Sequence, residues 1–189
     1  MGGSGVARAA VPYAFAMTDT GLQELIDKAA IERVLYDYCS GIDRCDEALL
    51  RSVYHDDAYD DHGVYRGDAS GFVTFALKAL ERDLATQHLV SNVRIDLDGD
   101  RATCESYLLG RHLREIDGRR QLLTYAGRYL DRFERRDGRW AIAHRLVVVD
   151  WDRAEPIERA PAHERFTPGG RYPNDPAFDW ETSVVRPGG

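Results

Sequence analysis

"TQHLVSNVRIDLDGDRA", residues 86–102, decides how this chain is read. Val93, Ile95 and Leu97 alternate with polar neighbours, the period-two pattern of a half-buried strand. Asp98-Gly99 follows, and Asp-Gly between alternating runs is a strong hairpin signal. The same device recurs at Asp117-Gly118 and Asp137-Gly138. These pairs separate "RATCESYLLGRHLREI", "RRQLLTYAGRYLDRFERR" and "RWAIAHRLVVVDW". Four long antiparallel strands in a meander are expected. Strands this long must bend, so bulges are expected too.

The residues before this stretch follow another period. Apolar positions recur from Leu22 to Ile42 with helical spacing and form one stripe. Thr18, Asp19 or Thr20 can cap this helix, which should end between Gly41 and Arg44. Asp46 can cap a short second helix reaching about Tyr54. "DAYDDHGVYRG" reads as a short strand and a loop. Asp68 or Ser70 can cap a third helix, "GFVTFALKALERDL", ending near Leu84. Helices followed by meandering strands imply an α+β fold. The helices should cover the concave face of a curved antiparallel sheet, leaving a pocket between them.

Composition narrows the function classes. The 189 residues suffice for one domain, with 43% hydrophobic and 30% charged residues. A formal net charge of -7 disfavours nucleic acid as a partner. No apolar run is long enough to cross a bilayer, so no membrane association is expected. The three cysteines, Cys39, Cys45 and Cys104, form no CxxC pair, which suits a reducing cytoplasm and argues against structural zinc. Residues 1–17, with an apolar run broken by Pro12, make a weak signal peptide and read better as a disordered leader with Met17 as the natural start. The domain should span 18–152. From Arg153 the chain is rich in Pro and Gly and reads as an extended tail over 153–189. Phe166, Tyr172, Phe178 and Trp180 should anchor it on the domain or on a neighbouring subunit.

Several motifs invite chemistry. "DLDGD", residues 96–100, lacks the glycine and glutamate that an EF-hand loop needs. "HDDAYDDH", residues 55–62, carries metal-ligand types, yet neighbours on a strand face opposite ways and cannot converge. Tyr59 and Asp61 share one face there and could line a pocket. Ser40 and the cysteines sit in no GxSxG elbow or Cys-His signature. No GxGxxG or P-loop is present. Asp43 ends the first helix, where the macrodipole disfavours a carboxylate. A cationic or imidazole partner would explain it. His88 heads the decisive strand. Strict alternation groups it with Asn92, Arg94 and Asp96, unless a bulge near Ser91-Asn92 turns it inward.

The order of these motifs carries a resemblance. "YxxxxD" at Tyr38–Asp43, then "DDAYDDHGVYRG", "TQHLVSNVRIDLDGDRA" and "GRYLDRFERRDGRWAIAHR" resembles the SnoaL-like branch of the NTF2-like superfamily, over roughly residues 20–152. The branch includes dehydratases and a dehydrochlorinase. The resemblance implies an NTF2-like cone with an Asp-His dyad inside, and Asp43 and His88 match those positions. Tyr38 matches a tyrosine five residues before the Asp, and Arg145 an arginine on the last strand. His112 falls near a second cavity histidine and Tyr59 near a tyrosine of the early strand. With Asp61 and Trp151, these two are expected to bind substrate. Relatives assemble through the outer sheet face. The apolar residues on both faces of "RLVVVDW" fit that, so a homo-oligomer is expected, a trimer first and a dimer second.

In such a dyad the carboxylate fixes the imidazole tautomer and leaves the other nitrogen as a general base. The expectation is a lyase without metal or organic cofactor, dehydratase-like, acting on a small hydrophobic or aromatic alcohol. A deformylating lyase or an isomerase would use the same pocket. An epoxide hydrolase would need Arg145 between Asp43 and Asp61, with His88 idle. A small-molecule carrier or a dioxygenase β-type subunit would show no close Asp43–His88 contact. His144 is expected in packing or an interface. His55, His62 and His163 are expected on the surface or in loops, and Trp140 in the core.

Overall fold

The computed structural model describes residues 19–158 and 165–179; the leader, His163 and Trp180 lie outside them. Helix α1 (Asp19–Arg44) is followed by α2 (Glu47–Ser52), whose Asp46 cap accepts the Leu49 amide. Strands β1 (Tyr54–Asp61) and β2 (Arg66–Asp68) come next, β2 lying in the segment expected to be loop. Helix α3 (Ala69–Leu80) is capped by Asp68. The meander is β3 (Asp83–Asp98), β4 (Arg101–Ile116), β5 (Arg119–Arg136) and β6 (Arg139–Pro156). Among the described residues no helix is long and apolar enough to cross a membrane.

The sheet order is β2-β1-β6-β5-β4-β3. The meander is antiparallel, as its turns require. Asp117-Gly118 and Asp137-Gly138 both take positive φ, the geometry of a two-residue hairpin turn that matches strand twist. The sheet as a whole is mixed, however, because β1 joins β6 in parallel. That pairing is non-local, and no turn chemistry announces it.

Bulges bend the strands. One lies between Ser91 and Arg94, with Asn92 at φ 49°. A second, between Ala126 and Gly127, bends β5 against β6. Gly127 is required there, since a Cβ would sit 2.0 Å from the Val148 carbonyl oxygen. The curved sheet wraps around the helices, giving the expected α+β cone.

The helices bury less of their apolar stripe than the sequence suggests. Ile31, Leu35, Tyr38 and Ile42 of α1 pack into the core, while Leu22, Leu25 and Ile26 are exposed. The buried stripe starts at Asp27, whose carboxylate accepts the Trp140 indole N–H at 3.0 Å. Helix α3 stops at Leu80 rather than near Leu84, because Asp83 is drawn into β3 by Arg114 and His112 of β4. Strand β6 continues to Pro156, into the stretch read as tail. The described tail residues touch the domain through polar groups. Arg44 pairs with Asp175 at 3.2 Å, and the Arg171 guanidinium donates to the Asp83 carbonyl at 3.0 Å. Phe166, Tyr172 and Phe178, expected as anchors, are exposed.

Arg145 and Asp131 face each other across β5 and β6 in a bidentate pair at 2.8 and 2.7 Å, both fully buried. Burial works against the guanidinium charge, and the Asp131 carboxylate more than restores it, so Arg145 stays ionised. Breaking a buried pair strands the other charge. Arg145→Met should therefore cost about 3–5 kcal/mol in a urea melt; an unchanged midpoint would show the pair to be dispensable.

Candidate active site

The helices and the inner sheet face enclose a cavity of about 360 Å³. Its polar groups come from three directions. His88 and His112 reach it from β3 and β4, Tyr38 from α1, and His62 from just after β1. Ile42, Phe72, Phe75, Leu108 and Val147 supply apolar wall.

Asp43 and His88 meet. The carboxylate accepts the ring Nδ1 at 2.7 Å and the His88 backbone N–H at 2.8 Å. Both side chains are about 9% exposed. The carboxylate holds the proton on Nδ1 and leaves Nε2 as an acceptor on the cavity side. The bulge at Asn92 makes this possible. Two residues, Asn92 and Val93, lie between the paired Ser91 and Arg94, so His88 and Val90 share a face with Val93, Ile95 and Leu97.

A second imidazole is held in the same way. His112 Nδ1 lies 3.0 Å from Asp83, which also takes the Arg114 guanidinium. Burial alone would push the Asp83 carboxyl up, but these hydrogen bonds outweigh it and hold the group below the ordinary carboxylate range. The His88 and His112 rings stand edge to face at 5.3 Å. Gly110 lies between them: a Cβ there would be 3.4 Å from His88 Nε2 and 4.0 Å from His112 Nε2. Both free nitrogens thus face one open space.

The other expected site residues divide. Tyr38 lines the cavity and sits edge-on to Tyr129, and burial pushes its hydroxyl well above the usual range. Arg145 does not reach the cavity. Its guanidinium lies under it, 4.1 Å from the Tyr38 ring centroid and 3.9 Å from that of Tyr129. Tyr59 and Asp61 are on the wrong face for substrate. In the β1–β6 register Asp60 pairs with Arg145 on the inner face, which turns Tyr59 toward His144 and Asp61 toward Leu146 on the outer face. Tyr59 stacks on His144 at 5.4 Å. Trp151 pairs with Ala126 beyond the second bulge, lies on the outer face and is 54% exposed. It forms no pocket wall.

Two histidines expected outside turn inward. His55 is buried and bonds the Glu134 carbonyl at 2.9 Å. His62 lines the cavity, stacked on Phe72 at 4.1 Å, with Nε2 3.1 Å from the Tyr38 hydroxyl and Nδ1 on Asp60. The signal for His62 was its spacing of two from Asp60, but only the β1–β6 register shows which face that pair takes. Nucleophilic roles fade for the other candidates. Burial pushes the Cys39 and Cys104 thiols up to about 12, and Ser40 is exposed on α1. Among the described residues no three His, Cys, Asp or Glu side chains are placed to hold a metal ion.

The space above Gly110 gives a direct test. Valine suits a strand, and its added methyl groups would occupy the region shared by the two Nε2 atoms. Gly110→Val should keep the thermal midpoint within about 1 kcal/mol of wild type, as strand substitutions often do, while turnover or ligand binding in the cavity is lost. Retained binding would place the ligand elsewhere.

Solved structures share this fold. The LinA-type3 hexachlorocyclohexane dehydrochlorinase of Novosphingobium barchaimii LL02 is 24% identical, over 78% of this chain and 98% of that one, with a TM-score of 0.62. A candidate scytalone dehydratase of Novosphingobium aromaticivorans is 24% identical, over 76% and 99%, with a TM-score of 0.63. The Kfla4162 protein of Kribbella flavida is 18% identical, over 69% and 95%, also with a TM-score of 0.63. Among curated proteins no sequence matches. The SnoaL-like domain model matches residues 23–146, more than half of the chain, and the protein therefore belongs to the SnoaL-like family.

Proposed function

We propose that the protein is a cofactor-independent lyase of the dehydratase type, acting on a small hydrophobic or aromatic alcohol. The observation that carries this reading is the 2.7 Å contact between Asp43 and His88 Nδ1 at the wall of an enclosed cavity. An imidazole fixed in this tautomer can take a proton from carbon through Nε2. The pair of electrons left behind expels the hydroxyl group, and the proton returns to that group as water forms. His112, facing the same space, can deliver or hold it. Tyr38 can donate to a substrate oxygen. Two relatives in fold carry names of elimination enzymes, which agrees with this chemistry.

Other uses of the pocket fare less well. A carrier needs no carboxylate-oriented imidazole, and the Asp43–His88 contact counts against it. The Asp-Arg-Asp set of an epoxide hydrolase does not form from Asp43, Arg145 and Asp61, since Arg145 is bound to Asp131 and Asp61 is on the outer face. A deformylating lyase or isomerase would use the same groups, and its products would identify it.

A panel of cyclic and aromatic hydroxy compounds should reveal loss of water, by mass and by new conjugated absorbance. On a substrate so found, His88→Ala and Asp43→Asn should each lower kcat by about 10²–10⁴-fold. Unchanged turnover in either variant would sink the dyad as catalyst.

We further propose a homotrimer formed through the outer sheet face. Tyr59, Leu89, Tyr107, Leu146 and Trp151 are all large, apolar and exposed there, a patch of the kind that marks an interface. Light scattering should give three times the chain mass, and Leu89→Arg should lower it. A monomer at all concentrations would overturn the proposal.

A further inference from the structure

The cavity wall opposite His88 contains a hydrogen-bonded chain that the reaction as described does not use. Tyr54 donates to Asp60 at 2.8 Å, Asp60 holds His62 Nδ1, and His62 Nε2 meets the Tyr38 hydroxyl at 3.1 Å. Asp60 is fully buried, and the His62 side chain is 17% exposed, on the cavity side. Phe72 stacks on the imidazole and fixes its plane.

We propose that Asp60, His62 and Tyr38 form an oxyanion site, in which His62 acts as a positioning residue that turns the Tyr38 O–H toward the ligand. The substrate would then carry a carbonyl oxygen conjugated to the carbon that His88 deprotonates.

Charge balance decides the direction of the chain. The dry cluster around Tyr38 holds two carboxylates, Asp60 and Asp131, and one guanidinium, Arg145. Arg145 is committed to Asp131 in both hydrogen bonds. Asp60 has only the Tyr54 hydroxyl and the His62 ring. A buried carboxylate without a cation is costly. A proton on both nitrogens of His62 supplies that cation, so Nε2–H donates to the Tyr38 oxygen. Tyr129 is a second hydrogen-bonding neighbour of that oxygen. With two donors on its oxygen, Tyr38 has its own proton left for the cavity.

The chemistry needs such a group. An imidazole removes a proton from carbon readily only when the electron pair can move to an acceptor. With a carbonyl beside that carbon, the pair moves to oxygen as the C–H bond breaks. The oxyanion is held by Tyr38, and the negative charge meets a preorganised donor in a water-poor site. Reformation of the carbonyl then expels the hydroxyl group, which takes the proton from His88 and leaves as water. Arg145 beneath the Tyr38 ring adds positive potential without touching the ligand. The turnover role rests on the lyase reading above; the anion site itself does not.

4-Nitrophenol tests the site without a known substrate, since its phenolate absorbs in the visible and its neutral form does not. At a pH just below the ionisation of the free probe, the full-length protein should bind it as the yellow phenolate. His88→Ala should keep this colour, because the anion is held at the other wall. Tyr38→Phe, which keeps the ring over Arg145, should abolish it. His62→Gln, which reaches Tyr38 without a charge, should weaken phenolate binding by about 10- to 100-fold. No binding, binding of the neutral form alone, or colour that needs His88 and survives Tyr38→Phe overturns the proposal. If the phenolate is held but no hydroxy compound is turned over, the anion site stands and the lyase reading falls.

Discussion

The contact on which the rest depends is that of the Asp43 carboxylate with His88, through both its ring and its backbone amide. Asp43 stands at the end of α1, where the helix dipole repels a negative charge. The two hydrogen bonds from β3 compensate that repulsion and tie the helix end to the sheet. The same bonds set the tautomer of His88. One carboxylate thus closes the cone, anchors the decisive strand and prepares a base. The bulge at Asn92 exists within this constraint. Without its extra residue, the apolar half of β3 and His88 could not face the same side.

The cavity repeats the device. Each of its three imidazoles has Nδ1 on a carboxylate: His88 on Asp43, His112 on Asp83, His62 on Asp60. The surroundings differentiate them. Asp83 also serves Arg114, so the His112 pair already contains a cation. Asp60 has no guanidinium of its own, while Asp131 takes all of Arg145. Three chemically similar pairs can therefore hold different proton inventories at one pH, which is what acid–base chemistry in one pocket requires.

Much of the fold was legible locally. Asp-Gly turns place three of the hairpins, and Asp46 and Asp68 cap the helices at which they stand. The likeness to the SnoaL-like branch led to Asp43, His88, Tyr38 and His112, all of which the structure brings to the cavity or its wall. The failures share one cause. Tyr59, Asp61, Trp151, His55 and His62 were misjudged because each depends on the register of β1 with β6 or of β6 with β5. A shift of one residue moves a strand's whole side-chain set to the other face. Arg145 was placed on the correct face but at the wrong depth, since its seat between two tyrosine rings comes from packing.

The sequence by itself determined the order of elements, the turns, the strand lengths and an unfavourable carboxylate at a helix end in need of a partner. These are near-neighbour effects, written in spacings of two to four residues. The tertiary structure alone decided which side of each strand meets the cavity, how buried charges pair, and that Asp60 and His62 face Tyr38. Those outcomes depend on the parallel pairing of β1 and β6, some eighty residues apart, and on bulges whose positions are set by how two bent strands fit. Neither leaves a periodic trace in the chain.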